Sequence, residues 1–373
     1  MNGLPAPQSI AILKNSDQYL IFSCTEGNNR CVYKMSYTNN DKLFKEMYRL
    51  QTLKNAYPKL SARLPEIHSH GTIAAGIHTG RAYFIQEHIP GITFSHYVQT
   101  NNPSGAEFTT VIKTLINTLV DIALDHTANP AYDHRSGSWL KEAIQYEYNR
   151  IQALPNISHI ANLPSLIIDG VVYQPLHEAM SRLFSLNQWT QLDSVPSFIS
   201  SLGHWNFHGD NVMFDEPGNV QNFKVIDPDV KIDECDPLFG LARFFYSFPH
   251  DTVDYVQYLI HSDVFSGTST HSNEFRITYL WPQVVYQHYA SLLDMVTSQH
   301  KPALVTLDGR FAVPELYTRL QLCMLYCLIR GVYANYEEEI EFVGGRLTEF
   351  RNKSIYLYLQ AVMFAHTTVE QRV

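Results

Sequence analysis

The chain has 373 residues, 45% of them hydrophobic and 17% charged, with a formal net charge of −9 at pH 7. A chain of this length and apolarity buries a large core and divides more naturally into a two-lobed unit than into a single compact domain. The acidic balance argues against a general nucleic-acid or membrane-surface binder, since both reward basic patches, and makes a small molecule the default partner.

Five cysteines, Cys24, Cys31, Cys235, Cys323 and Cys327, lack paired metal-ligand spacing and read as reduced and structural, with Cys323 and Cys327 on one apolar helix face. The seventeen histidines contain no HExxH pattern. The N-terminus lacks a basic region followed by a long apolar segment, and no run approaches the roughly 18 apolar residues of a spanning helix. The expectation is a cytoplasmic location.

IAIL, QYLIFSC and CVYKMS are rich in β-branched and aromatic residues and are separated by polar turns, which predicts a small antiparallel sheet with Lys34 near the end of its third strand. In DKLFKEMYRLQTL, Leu43, Met47 and Leu50 recur at helical spacing behind an Asp41 cap, leaving Glu46 on another face. A strand lysine and a helix carboxylate twelve positions later can pair, holding the ammonium where it meets nucleotide phosphates. RAYFIQEHIPG predicts a strand over Tyr83 to Ile85 that runs into Glu87, His88 and Ile89 and breaks at Pro90 and Gly91. Such a junction is a natural linker, and unpaired backbone groups there suit an adenine edge. From residue 107 to 126, Phe108, Val111, Ile112, Leu115, Ile116, Leu119 and Ala123 trace one face of a core helix. Most of the remainder has apolar residues at three- and four-residue spacing and reads as helical, with a long insert between residues 130 and 200.

In HWNFHGDNVMFDEPGNVQNFKVID, an Asn precedes a short apolar strand, a turn rich in Asp, Pro, Gly and Asn follows, and a second apolar strand ends in Asp227. That hairpin places Asn211 and Asp227 side by side, an amide and a carboxylate suited to Mg²⁺ with nucleotide phosphates completing its shell. Asp229, two residues on, points to the same side of an extended segment and can approach a second metal or a cationic substrate or, equally, cap the next turn.

In this order, Lys34, Glu46, FIQEHIPG, HWNFHGDNVMFD, KVIDPD and DPLFGLARFF resemble the aminoglycoside phosphotransferase and choline kinase family, small-molecule relatives of the protein kinases. The resemblance covers most of the chain. It implies an α+β, two-lobed protein-kinase-like fold: a small N-terminal antiparallel sheet plus helix over residues 1–86, a hinge at 87–92, and a large, mostly helical C-terminal lobe over 93–373. The catalytic loop then spans 204–215 and the metal segment 225–229. It also implies that ATP and Mg²⁺ are the cofactors, with Lys34 on the phosphates, Glu46 as its partner, Glu87, His88 and Ile89 at the adenine, and Asn211 and Asp227 on the metal. The NSDQ turn has no glycine, so cover over the phosphates rests on Ser16 or neighbouring backbone N–H groups.

The loop departs from the family form of His, any residue, Asp, four residues, Asn. Matching Asn211 puts His204 at the His position and Asn206, which cannot accept a proton, at the base position. The other register uses His208, Gly209 and Asp210 and moves the metal position to Asp215. The apolar strand after Asn211 favours the first, which leaves Asp210 as the loop carboxylate. Either Asp210 orients or deprotonates the acceptor hydroxyl, or Asn206 only hydrogen-bonds it. Gly240 stands where the family commonly has an Asp.

The function implied is transfer of the γ-phosphoryl group to a hydroxyl of a small molecule such as an amino alcohol, sugar or aminoglycoside. The alternatives are a regulatory nucleotide-binding pseudokinase and a protein-substrate kinase. Glu337, Glu338, Glu339 and Glu341 beside Tyr333 and Tyr336 suit a cationic acceptor or, equally, a solvated acidic helix face. Trp205 stacks on a sugar ring or packs the core. No nucleic acid or membrane partner is expected, and the oligomeric state stays open.

Overall fold

The β-branched and aromatic runs at the start of the chain form a five-stranded antiparallel sheet: β1 (Ile10–Asn15), β2 (Tyr19–Glu26), β3 (Asn29–Ser36), β4 (Ile67–Thr72) and β5 (Ala82–Glu87), in the order β1-β2-β3-β5-β4. The structure is a computed structural model that describes residues 10–16, 18–26, 29–101, 106–107, 110–118, 132–136, 138–186, 196–200, 203–215, 222–230, 232, 236, 238–250, 258–261, 273–279, 313–341 and 347–370. The chain divides into two units, Met1–Ala131 with Ser200–Cys235, and Tyr132–Ile199 with Asp236–Val373.

In the first unit, helix α1 (Asn40–Ala56) begins at Asn39, whose side chain accepts a hydrogen bond from the Lys42 backbone N–H at 2.9 Å. Asn39 therefore takes the cap expected of Asp41, and Asp41 lies in the first turn, where its charge complements the helix dipole. Leu43 and Met47 bury fully against Ala82 and Phe84 of β5, with Tyr19, Phe44 and Ile67 at the edge of the cluster. Each such side chain contributes about 1.5–3 kcal/mol by leaving water. Lys34 pairs with Ile21 on one side and Phe84 on the other, so it faces the side of the sheet on which Phe84 meets α1. Glu46, expected on another face of the helix, is buried with Leu43, Met47 and Leu50.

A short helix α2 (Pro58–Ser61) follows, and β5 leads through residues 88–93 into α3 (Phe94–Asn101). Gly91 is needed at its position because a Cβ there would lie 1.4 Å from the Phe214 carbonyl oxygen. The Phe214 N–H also donates to Ile92 O at 3.0 Å, so the segment after β5 lies directly against the hairpin strand Val212–Phe214. That strand pairs with Phe223–Val225 in the register Val212↔Val225 and Phe214↔Phe223. Residues 110–118 are helical, with Val111, Ile112, Leu115 and Ile116 buried as their spacing predicts; 108–109 and 119–126 lie outside the described residues.

The second unit is mostly helical: α4 (Ser138–Gln152), α5 (Ser158–Ala161), α6 (Leu176–Ser185), α7 (Leu238–His250), α8 (Val313–Glu341) and α9 (Leu347–Glu370). Helix α8 packs against α9, α7 and α4, and buries Cys323 and Cys327 together. Asp236 starts α7 by accepting from Leu238 N–H at 2.9 Å, while its other oxygen accepts from Arg319 of α8 in a fully buried ion pair. No helix among the described residues is long and apolar enough to cross a membrane.

Candidate functional site

The loop between Gly203 and Asp215 depends on two non-glycine residues in the left-handed region, Trp205 (φ 57°) and, beyond the hairpin, Asp227 (φ 53°). Each such residue costs on the order of 1–3 kcal/mol and persists only where its surroundings over-determine it. Here they do. The His208 N–H donates to Asn206 O and the Asn211 N–H to His208 O, both at 2.9 Å, winding Gly209–Asn211 into a 3₁₀ turn. Trp205 is 1% exposed and packs into the core, so the stacking role is not available to it. His204 is fully buried, stacks on Phe207 with ring centroids 4.8 Å apart, and accepts the Asp229 N–H through its backbone oxygen at 2.9 Å. Burial pushes its imidazole down to about 3, so it stays neutral.

Across the sheet, the Lys34 Nζ donates to both Glu46 oxygens, at 2.7 and 2.8 Å, and to Asp227 Oδ1 at 2.5 Å. One ammonium thus lies between two carboxylates. Burial disfavours the charges of Lys34 and Glu46 and, on its covered side, that of the partly exposed Asp227. For Lys34 the two carboxylates outweigh it and raise the ammonium above its ordinary value; for Asp227 the Lys34 charge outweighs it and holds the carboxyl well below the usual range. Glu46 goes the other way, to about 8, because burial and the nearby Asp227 charge together exceed the pull of Lys34.

Asn211 stands beside this group as the hairpin predicts. Its Nδ2 donates to Asn206 O at 3.1 Å and to Asp227 O at 3.3 Å, which turns Oδ1 the other way; Oδ1 accepts no hydrogen bond among the described residues. The Asp227 side chain keeps 44% exposure. Among the described residues no three His, Cys, Asp or Glu side chains gather as a metal cluster. An amide oxygen and a partly exposed carboxylate fit a hard divalent cation that takes its remaining oxygens from phosphates and water. Asp215, the metal residue of the other loop register, instead closes the hairpin through Asn222, whose backbone oxygen accepts its N–H at 3.1 Å and whose amide donates to its carboxylate.

Asn206 has a defined job: its Nδ2 donates to Asp227 O at 2.7 Å. The acceptor is a carbonyl, so the amide nitrogen must face it. Asp210 is half-buried in the 3₁₀ turn immediately before Asn211. The backbone of Asp229 is held at both ends, its N–H by His204 O and its carbonyl by Arg49.

At the end of β5, the last pair with β3 is Cys31↔Glu87, and His88 and Ile89 lie beyond it. The Glu87 side chain binds the Glu66 N–H at 3.1 Å and Lys224 at 3.3 Å, so it ties β4 and the hairpin to β5. His88 is half-buried, with burial and then Arg30 lowering its imidazole, and Ile89 is 7% exposed. The Ser16 hydroxyl closes its own turn, donating to Tyr19 O at 3.3 Å and accepting from Tyr19 N–H at 3.2 Å. Sequence reasoning missed two neighbours. The Tyr19 ring lies 5.2 Å from Lys34 Nζ and 5.3 Å from Lys42 Nζ, and Arg49 reaches the segment after Asp227. In the sequence Tyr19 shows only as a strand residue, and nothing in the α1 pattern singles out Arg49.

In the second unit, the face of Tyr333 is taken by Arg150, whose guanidinium carbon lies 3.5 Å from the ring centroid, so that face is closed to a cationic acceptor. The side chains of Glu337, Glu338, Glu339 and Glu341 lie outside the described ones.

A sheet-plus-helix bearing a paired lysine and glutamate, followed by a hairpin that brings an Asn and an Asp to the same place, defines a protein-kinase-like fold of the aminoglycoside phosphotransferase type. Solved structures agree. Aminoglycoside phosphotransferase APH(4)-Ia superimposes with a TM-score of 0.52 at 11% identity, covering 95% of each chain. A thermostable mutant of it, in ternary complex with ADP and hygromycin B, gives 0.52 at 13% identity, again over 95% of each chain. At such identities the match establishes the fold. No protein-family model and no curated protein sequence matches the chain.

Proposed function

We propose that the protein is an ATP-dependent phosphotransferase that moves the γ-phosphoryl group to a hydroxyl of a small molecule. The observation that carries this reading is the contact of Lys34 with both Glu46 and Asp227, with Asn211 held beside Asp227. The two structural neighbours add support, one of them in a complex with ADP and hygromycin B. In this reading residues 1–86 form the nucleotide lobe, 87–92 the hinge, and 93–373 the lobe of the acceptor.

Lys34 meets the nucleotide phosphates, Glu46 holds its ammonium in place, and the backbone of His88 and Ile89, past the last paired strand residue, takes the adenine edge. Asn211 and Asp227 hold Mg²⁺, which when bound neutralises charge on the phosphates. Asp229 adds a carboxylate near this group. Asp210 orients the acceptor hydroxyl and takes its proton as the new oxygen–phosphorus bond forms and the bond between the γ-phosphorus and the bridging oxygen breaks, releasing ADP. Asn206 and His204 position the loop. Ser16 shapes the turn over the phosphates.

A second reading has a specific observation behind it. Asn206, at the family's base position, spends its amide on Asp227 O, which suits a protein that binds nucleotide without turnover. The two separate cleanly. Labelled γ-phosphate from ATP is followed into a panel of amino alcohols, sugars and aminoglycosides, with thermal shift by ATP and Mg²⁺ measured alongside. Transfer that Asp210→Asn lowers by about 10²–10⁴-fold while keeping the thermal shift supports the enzyme. A thermal shift lost in Lys34→Ala with no transfer to any acceptor supports the non-catalytic binder, and no thermal shift at all removes both.

A further inference from the structure

Helix α1 carries a second polar side chain toward the site that the functional reading has not used. Arg49 lies three residues after Glu46, close to one helical turn further on. Its Nη1 donates to Ile232 O at 2.6 Å and to Asp229 O. The segment that begins at Asp227 is strained at its first residue and fastened from two directions. From the loop side, Asn206 and Asn211 hold Asp227 O and His204 O holds the Asp229 N–H. From the α1 side, Arg49 holds the carbonyls of Asp229 and Ile232. One helix therefore places a carboxylate on Lys34 and a guanidinium on the stretch that presents Asp227.

We propose that Arg49 is a positioning residue that locks the segment after Asp227 to helix α1, so that the Lys34–Glu46 pair and the Asp227 carboxylate reach the nucleotide–cation complex in one fixed register. This rests on the nucleotide-binding reading above. Displacing α1 carries Glu46 away from Lys34 and releases Asp227 in the same movement. A guanidinium serves two carbonyls from a planar, rigid donor group, whereas a lysine ammonium on a flexible stem recovers only part of that constraint.

The test uses the full chain as wild type, Arg49→Met and Arg49→Lys. Binding of a non-hydrolysable ATP analogue is titrated with Mg²⁺ and with chelator, and amide exchange over residues 226–230 is followed without ligand. The expected result for Arg49→Met is a tenfold or greater loss of the Mg²⁺-dependent gain in affinity, Mg²⁺-free affinity within twofold of wild type, and faster exchange at 226–230 with β1–β5 unchanged. Arg49→Lys recovers part of the gain. Wild-type Mg²⁺ dependence in Arg49→Met overturns the proposal, as does an equal loss with and without Mg²⁺, which marks general damage. If Arg49→Met does not fold, Arg49→Lys is judged on the same comparison, a selective partial loss supporting the proposal and an unchanged or unselective response overturning it. A wild-type chain that binds no nucleotide sinks the functional reading and this inference together; a binding wild type with an indifferent Arg49→Met sinks this inference alone.

Discussion

If, under the proposed function, the base position of the loop were simply vacant, Asn206→Asp would supply the Asp of the family that the loop resembles and raise the rate. The geometry predicts the opposite. The Asn206 amide donates to Asp227 O at 2.7 Å, and that carbonyl belongs to a left-handed residue that needs to be held in place. Removing the donor alone, in Asn206→Ala, leaves Asp227 O with the longer 3.3 Å bond from Asn211, so the cost is about 1 kcal/mol. Asn206→Asp does more, because it sets an ionised oxygen against a carbonyl oxygen; losing the bond and leaving a half-buried charge unsatisfied costs about 2–3 kcal/mol. For a unit of this size that lowers Tm by roughly 5–10 °C. Asp227 then relaxes from its strained conformation and nucleotide affinity with Mg²⁺ falls as well. The new carboxyl is raised above its ordinary value by partial burial and by Asp227, and once protonated it donates again, so the defect grows as pH rises through the carboxylate range and shrinks as pH falls. Denaturation of wild type, Asn206→Ala and Asn206→Asp between pH 4 and 8, with phosphate-transfer assays at each pH, measures this. An Asn206→Asp protein as stable as wild type and faster at transfer would refute the clamp and restore the vacant-base view.

Glu46 titrates in the folded state near 8, against 4.5 for an ordinary glutamate, so the folded form binds its proton more tightly and stability from this group declines as pH rises between those values. The difference in stability between wild type and Glu46→Gln should therefore change across that window and flatten below it. Gly91→Ala should prevent folding or cost several kcal/mol, because its Cβ would overlap the Phe214 carbonyl, whereas Gly76→Ala, at φ 95° with open space around it, should cost only about 1–2 kcal/mol; denaturant melts compare them. Arg319→Met leaves Asp236 buried without its counter-ion and should cost about 3–5 kcal/mol, read as a fall in the denaturation midpoint with the Mg²⁺-free nucleotide affinity unchanged.

Periodicity was a good guide wherever one physical demand acted alone. The apolar stripes of α8 and α9, the β-branched and aromatic runs of β2 and β3, and the hairpin that joins Asn211 to Asp227 follow from burial and turn chemistry that a single sequence displays. It misled where a polar residue served a tertiary partner. Glu46 shares the buried stripe of α1 because Lys34 waits on the sheet, and Trp205 is buried at a left-handed position that no local pattern announces. Ser16 and Glu87, expected at the nucleotide from the resemblance and from the glycine-free turn, also bond within their own turn and between neighbouring strands, contacts that no local pattern displays. The α1 cap falls at Asn39, two residues before Asp41, since both are competent caps and only the path of the chain chooses between them.

The lysine between two carboxylates has a consequence for the order of events. With Glu46 raised to about 8, the cluster at neutral pH sets one ammonium against the Asp227 carboxylate, and that ammonium is already fully engaged. A bare polyphosphate approaching it must compete with Asp227 for that ammonium, and the carboxylate it displaces is left without a counter-ion. A divalent ion arriving with the polyphosphate gives the displaced carboxylate a new partner at the moment it is released. Under the proposed function, the resting arrangement therefore discriminates against uncomplexed nucleotide before any acceptor is present.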